Sequence, residues 1–240
     1  MKPEISTLLE ICFVLLSFVL FALIVWAVKV VRLKRGEEPA SARKSTLKIG
    51  AVLIIWLMGL KQLSALHFLD NWTSMPPHFL VLIVPPLIGI FILFFSPRFN
   101  KFLESVPAHW LVYIQSFRIF MELILWALFL EGVIGKQMTF EGRNFDVLVG
   151  ITALPVGYLI SSGKLKSRSG IIAWNIFGLI MLANIVAVAI LSTPIPIRVF
   201  TGGPANTMIA YFPFVWLPGF VVPVAFAMHL FSIRKALQRN

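Results

Sequence analysis

The chain has 240 residues, of which 59% are hydrophobic and only 13% are charged, and its mean hydropathy is +0.91. A soluble domain is about half apolar and about a quarter charged, so the composition excludes an ordinary soluble protein. The net charge of +11 lies in short segments between apolar blocks. That distribution is typical of topology signals and not of a continuous nucleic-acid-binding face, so we expect no nucleic-acid partner.

Seven apolar blocks follow one another along the chain, and each approaches the length of about 20 residues that crosses a hydrocarbon core of about 30 Å. They cover residues 8–31, 47–67, 78–95, 109–131, 144–162, 169–192 and 207–233. The connections leave no room for a soluble domain. We therefore predict an all-α fold, a polytopic integral membrane bundle of seven transmembrane helices that forms a single domain over residues 1–240.

Basic residues indicate the orientation of this bundle. One side would carry Arg32, Lys34, Arg35, Arg43, Lys44, Lys48, Arg98, Lys101, Lys164, Lys166, Arg168, Arg234, Lys235 and Arg239. The other side would carry only Lys2, Lys136, Arg143 and Arg198. Because cytoplasmic loops are enriched in Lys and Arg, the alternation predicts an outside N-terminus and an inside C-terminus.

Prolines interrupt three of the predicted spans. They are Pro85 and Pro86 in the third, Pro155 in the fifth, and Pro213, Pro218 and Pro223 in the seventh. Each proline removes a backbone donor, and a freed carbonyl inside a bilayer needs another partner. We predict that the third and seventh spans bend or unwind near their middle and that a side chain binds at least one freed carbonyl. Either these helices are kinked packing elements, or they line a solute site as in transporters.

The fourth span, "WLVYIQSFRIFMELILWALFLEG", contains two charged residues near its centre. Counted from the inner face at His109, Arg118 lies about 14 Å deep and Glu122 about 20 Å deep. Gln115, Arg118 and Glu122 follow i, i+3, i+7 spacing and share one helix face. A charge at mid-bilayer costs about 2.5–3.5 kcal/mol, so we expect this face to contact protein or water. We predict that the two charged residues interact with each other or with polar groups from the second, fifth or sixth span. It is either a structural clamp or a site for a solute, an ion or a proton.

Two other spans contribute candidates for the same site. Asn175 in the sixth span lies at a depth that could reach Gln115 or Arg118. Lys61 in the second span either extends its ammonium group to the outer interface or points inward at the depth of Glu122.

The start of the fifth span contributes the last candidate. Asn144 can cap this helix, and Asp146 then falls in the first turn, where negative charge is favoured. Asp146 could instead belong to an acidic outer vestibule with Asp70, Glu131 and Glu141.

Several functional classes lack their residues in this chain. Residues 207–233 contain no lysine for a retinal Schiff base. His67, Asp70 and His78 cluster near the predicted outer surface, but their spacing matches no standard zinc motif, and Cys12 is the single cysteine. We therefore predict no metal site, no cofactor and no catalytic residues, and an enzyme is the least favoured class.

The stretches "QSFRIFMEL" and "MTFEGRNFDVLVG", between Gln115 and Gly150, resemble uncharacterised multi-pass proteins of bacterial membranes. The resemblance covers about the central third of the chain. It implies a location in the inner (plasma) membrane of a bacterium and carries no activity with it.

The expected function is the binding or passage of a small solute or ion through a polar site in the bundle. The site would comprise Gln115, Arg118, Glu122, Asn175, Lys61 and Asp146. The alternative is a membrane sensor or accessory subunit in which the Arg118 and Glu122 pair is structural. The expected partners are the lipid bilayer and a small solute or ion, and the sequence leaves an oligomer or a membrane protein partner open.

Overall fold

The computed structural model of the chain describes residues 3–238, and two of the loop charges counted above, Lys2 and Arg239, lie outside the described residues. Within that range the protein is helical and contains no strand. The α-helices are α1 (Thr7–Lys34), α2 (Pro39–Ala65), α3 (Leu80–Phe95), α4 (Pro97–Glu104), α5 (Ala108–Tyr113), α6 (Phe117–Leu130), α7 (Asp146–Ser161), α8 (Arg168–Ile190) and α9 (Val222–Gln238). Short 3-10 turns cover Ile114–Ser116, Lys136–Met138 and Met208–Ala210, and a π-helical turn covers Leu217–Val221.

Five helical segments among the described residues are long and apolar enough to cross a membrane: α1, α2, Ala108–Leu130, α8 and Leu217–Gln238. A sixth arises if α3 and α4, which meet at an angle of 76°, form one bent span. At 16 residues, or about 24 Å, α7 is shorter than the hydrocarbon core. The prediction of an all-helical protein is thus confirmed, with several helices long and apolar enough to cross a membrane, whereas the count of seven spans stays a prediction.

The sharp bend of the third apolar block lies at its end and not at its prolines. α3 remains α-helical through Pro85 and Pro86, so it does not unwind at its middle. The break comes at Ser96, which has ψ 123° because the following Pro97 disfavours the α conformation of the residue before it. The Ser96 hydroxyl accepts a hydrogen bond from the Phe99 amide and caps α4.

The seventh block is interrupted as predicted. Residues 207–215 are not α-helical, and the π-helical turn at Leu217–Val221 leads into α9. Pro223 has no amide hydrogen for the carbonyl of Gly219, four residues earlier. The indole Nε1 of Trp56 in α2 donates to this carbonyl at 2.8 Å. The predicted binding of a freed carbonyl by a side chain is therefore confirmed.

The centre of the bundle is formed by α5, α6 and α9. In Ala108–Leu130 and in Leu217–Gln238, 56% of the most apolar 18-residue stretch is buried. The buried share of the corresponding stretch is 17% in α1 and 22% in α2. α7 packs on α5 and α6, and α8 packs on α9. The charged residues of the fourth block therefore lie in the most enclosed part of the protein.

Two loops, residues 131–145 and 191–216, cover the end of the bundle at which α7 begins. Gln137 in the first donates its side-chain amide to the Ser192 hydroxyl of the second at 3.0 Å. Asn206 donates its amide to the Ala189 carbonyl at 3.2 Å. Thr139 and Thr193 are fully buried. The two loops thus form a packed cover over the polar groups described next.

Candidate functional site

Arg118 and Glu122 lie one helical turn apart on α6, and both are almost completely buried, with exposed fractions of 1% and 2%. Four residues of separation place them on the same face of the helix, and that face points into the bundle. The 3-10 turn at Ile114–Ser116 precedes them and contains Gln115, which is fully buried. A change from 3-10 to α geometry inside a helix often marks a functional position.

The partners of the two charged side chains come from the start of α7 and not from each other. Arg118 Nη1 lies 3.1 Å from Asp146 Oδ1, and this ion pair is buried. Asn144 Nδ2 donates to Glu122 Oε1 at 2.6 Å and also to the Met138 carbonyl at 3.1 Å. The side-chain oxygen of Asn144 accepts from the Asp146 amide at 3.1 Å, so Asn144 caps α7 as expected while it also binds Glu122.

A small-residue face of α7 makes this close approach possible. A Cβ atom on Gly150 would lie 2.9 Å from the backbone nitrogen of Ile119 and 3.3 Å from Arg118 Cβ. A Cβ on Gly157 would lie 2.6 Å from the ring of Tyr113. Asp146, Gly150 and Gly157 lie at i, i+4 and i+11, on one face of α7. The absence of side chains at the two glycines lets α7 lie against α5 and α6 and brings Asp146 to Arg118.

A cavity of about 80 Å³ adjoins the charged group. Its wall is mainly apolar and comes from α3, α6, α8, the π-helical turn and α9. The polar residues that line it are Arg118, Glu122, Asp146 and Asn206. An engineered apolar cavity of about 150 Å³ accepts benzene, so this one suits a smaller solute or several water molecules.

Several buried polar atoms at this cavity have no hydrogen-bond partner among the described residues. They are Arg118 Nε, Arg118 Nη2, Glu122 Oε2 and Asn206 Oδ1. More than 90% of buried polar groups in native proteins are satisfied, and each exception needs an explanation. Donors and acceptors without partners thus meet at one cavity.

Gln115 and Asn175 lie in the same interior but have different partners. Gln115 Nε2 donates to the Ala225 carbonyl of α9 at 3.0 Å, and its Oε1 has no partner in the described part of the chain. Asn175 donates to the Ser232 hydroxyl at 2.9 Å and bonds His229 Nδ1 through its Oδ1, also at 2.9 Å. Asn175 therefore joins α8 to α9 in a second polar cluster and does not line the cavity.

His229 is fully buried against α8, and a Cβ on Gly178 would lie 2.2 Å from its ring. Gly178 therefore makes room for the imidazole beside Asn175. Sequence reasoning did not predict this cluster.

Lys61 is not brought to the charged group. It is exposed, and its ammonium nitrogen lies 5.0 Å from the ring centre of Phe212. This cation–π contact accounts for the position of the side chain without a role in the cavity.

The acidic residues of the suggested outer vestibule bind separate partners. Glu131 accepts from the Ser6 amide at 3.0 Å, and Glu141 accepts from the Trp126 indole at 2.7 Å. Asp70 accepts from the Tyr211 hydroxyl at 3.0 Å and lies 2.9 Å from His67 Nδ1. Burial opposes ionisation of Asp70, but the hydrogen bonds from its two partners outweigh it, so its pKa lies below the usual value. Asp70 thus connects the loop after α2 to the segment before the π-helical turn.

Two site residues were missed from the sequence. Asn144 was interpreted only as a helix cap, and its bond to Glu122 depends on how α7 packs against α6. Asn206 lies in the long loop 191–216, where neither periodicity nor spacing indicates which side chains turn inward. Among residues 3–238, no group of three or more His, Cys, Asp and Glu side chains is arranged to hold a metal ion.

Fold and site together define an all-helical protein with several helices able to cross a membrane and a buried charged group beside a small cavity. The chain belongs to the family described as a domain of unknown function, DUF8737, whose model matches residues 75–237. No curated protein and no solved structure matches the chain. The matched region comprises α3 to α9 and contains every residue of the charged group, whereas α1 and α2 precede it.

Proposed function

We propose that the protein is a single seven-helix membrane domain that binds or passes a small solute or ion at the cavity beside Arg118, Glu122 and Asp146. Five long apolar helices and the bent pair α3 and α4 are candidates for six crossings. In this proposal the shorter α7 forms the seventh. The distribution of basic residues supports an outside N-terminus and an inside C-terminus. The resemblance to bacterial multi-pass proteins supports the inner membrane as its location.

The topology has a direct test. Reporter fusions after Lys101 and after Arg168 are expected to report the cytoplasm, and a fusion after Lys136 the outside, because Lys and Arg concentrate on the cytoplasmic side. Paired reporters that are active on opposite sides of the membrane give the measurement. A cytoplasmic signal after Lys136 would overturn the seven-span arrangement.

The unpartnered polar atoms at the cavity carry the proposal of a solute site. A buried polar network that serves only packing is most stable when every donor and acceptor is satisfied. Here two side-chain nitrogens of Arg118 and one oxygen each of Glu122 and Asn206 have no partner in residues 3–238. A polar solute, an ion or water in the cavity would supply the missing hydrogen bonds.

The alternative function is that of a membrane sensor or accessory subunit with a structural charged group. The bonds from Arg118 to Asp146 and from Asn144 to Glu122 favour it, because both tie α6 to α7. This role needs a closed core. A solute site needs an interior that small reagents can reach, so access to the cavity separates the two.

Cysteine labelling measures that access. The single native cysteine, Cys12, is exposed, so a Cys12→Ser background removes unwanted reaction. Ala189→Cys places a thiol on the cavity wall, and Ala153→Cys places one at a fully buried position of α7 that does not line the cavity. We expect a small methanethiosulfonate reagent to modify the first variant in intact membranes and to leave the second unmodified. Equal protection of both thiols would favour the closed structural role.

A further inference from the structure

The buried charged group contains an odd number of charges. Arg118 is 1% exposed, Glu122 2% and Asp146 6%, so one guanidinium and two carboxyl groups are enclosed together. If all three were ionised, the group would carry one net negative charge. Burial of an uncompensated charge is strongly unfavourable, so a positive charge from elsewhere has to balance the group.

Hydrogen bonding distinguishes the two carboxyl groups. Asp146 is paired with the guanidinium of Arg118 at 3.1 Å. Glu122 forms no ion pair with a described residue, and its Oε1 accepts from the neutral amide of Asn144 at 2.6 Å. Its Oε2 is buried without a partner, and Glu122 lines the cavity. The unmatched negative charge therefore belongs to Glu122.

No other described cation is placed to balance Glu122. On α9 the nearby titratable residue is His229, whose Nδ1 is bonded to Asn175. Lys136, in the loop that contacts α6, pairs with Glu141 at 3.5 Å. α3 and α8 contribute only apolar side chains to the cavity wall, and α1, which also packs on α6, contributes none.

We propose that Glu122 is the proton-binding residue of this site. A proton taken from water forms an O–H bond at Oε2, and the buried group becomes neutral overall; its release to water restores the carboxylate. A carboxyl group can hold a proton next to Arg118, whereas a metal ion would be repelled by the guanidinium. The inference rests on the proposed solute site, because the cavity gives the proton its route to Oε2 and brings the solute to the same oxygen. Occupation of the site by a solute that donates a hydrogen bond to Oε2 is therefore coupled to loss of the proton.

Infrared difference spectroscopy on the full chain in lipid nanodiscs tests the proton. A protonated carboxyl group has a C=O stretching band that carboxylates lack. We expect one such band per chain in the parent at neutral pH and its loss in alkaline buffer. Glu122→Gln should remove the band, and Glu141→Gln, at a partly exposed carboxylate, should retain it. The proposal is overturned if the parent has no such band at neutral pH, or if folded Glu122→Gln protein retains it.

A second variant keeps the test valid if Glu122→Gln does not fold. Glu122→Asp retains a carboxyl group and should shift the band frequency, whereas an unshifted band would assign the proton to another residue and overturn the proposal. Labelling of Ala189→Cys separates this outcome from that of the proposed function. An accessible cavity without the band leaves the solute site intact and overturns the proton at Glu122. A band in a protein with a closed cavity supports the proton at Glu122 and overturns the solute site and its coupling.

Discussion

Arg118→Gln is expected to reduce the yield of folded protein more than any other single substitution of a described charged residue. It removes the partner of Asp146 and leaves two buried carboxyl groups without a cation. Removal of one member of a buried ion pair typically costs about 3–5 kcal/mol, a large part of the stability of most proteins. The measurement is the folded fraction after extraction, by size-exclusion chromatography, together with the thermal unfolding midpoint.

Matched variants identify which carboxyl group is the partner of Arg118. Arg35→Gln changes an exposed arginine at the end of α1 and should leave the yield unchanged. Adding Asp146→Asn to Arg118→Gln should recover part of the loss, because the unpaired carboxylate is removed. Adding Glu122→Gln instead should recover less, since Glu122 is bonded to Asn144. Stability of Arg118→Gln equal to that of the parent would show that the buried pair does not hold α6 to α7.

Gly150→Ala is expected to have the second largest effect. The new methyl group would lie 2.9 Å from the Ile119 backbone nitrogen, which cannot move without displacing α6. Overpacking of this kind typically costs about 1–3 kcal/mol. Because α7 has to shift, the ion pair of Asp146 with Arg118 should also be disturbed. A fall in the unfolding midpoint measures the effect.

Gly59→Ala provides the control for this substitution. Gly59 also lies inside an apolar helix, α2, but a Cβ there has no atom within 4 Å. Its replacement should leave the midpoint unchanged or raise it, because alanine is the better helix former. If the two variants unfold at the same temperature, the close approach of α7 to α6 does not limit stability.

The sequence indicated the helical segments and the unusual residues within them but not their partners. Long apolar blocks predict membrane-crossing helices, and Pro223 predicts a freed carbonyl in the seventh block. The pairing of that carbonyl with Trp56, a residue 163 positions earlier, depends on the packing of α2 against the π-helical turn. Gly219 permits this approach, since a Cβ there would lie 2.4 Å from a methyl group of Leu60.

For the candidate site too, the sequence indicated the residues but not their partners. Spacing placed Gln115, Arg118 and Glu122 on one helix face, and the cost of charge in a bilayer directed that face inward. The direct pairing of Arg118 with Glu122 was the simplest arrangement on a single helix. The structure instead pairs Arg118 with Asp146, 28 positions away. Lys61, a candidate on depth alone, faces another part of the molecule.

By itself, the sequence determined the all-helical class and the burial of charge in the fourth apolar block, because hydropathy, helical spacing and proline chemistry act within one segment. Only the tertiary structure decided which carboxyl group pairs with Arg118, which carboxyl group remains unpaired beside the cavity, and which loop residues turn inward. Those outcomes depend on how closely two helices approach, and at Gly150 a single Cβ would change that distance. The helices are properties of segments, whereas the site is a property of their contacts.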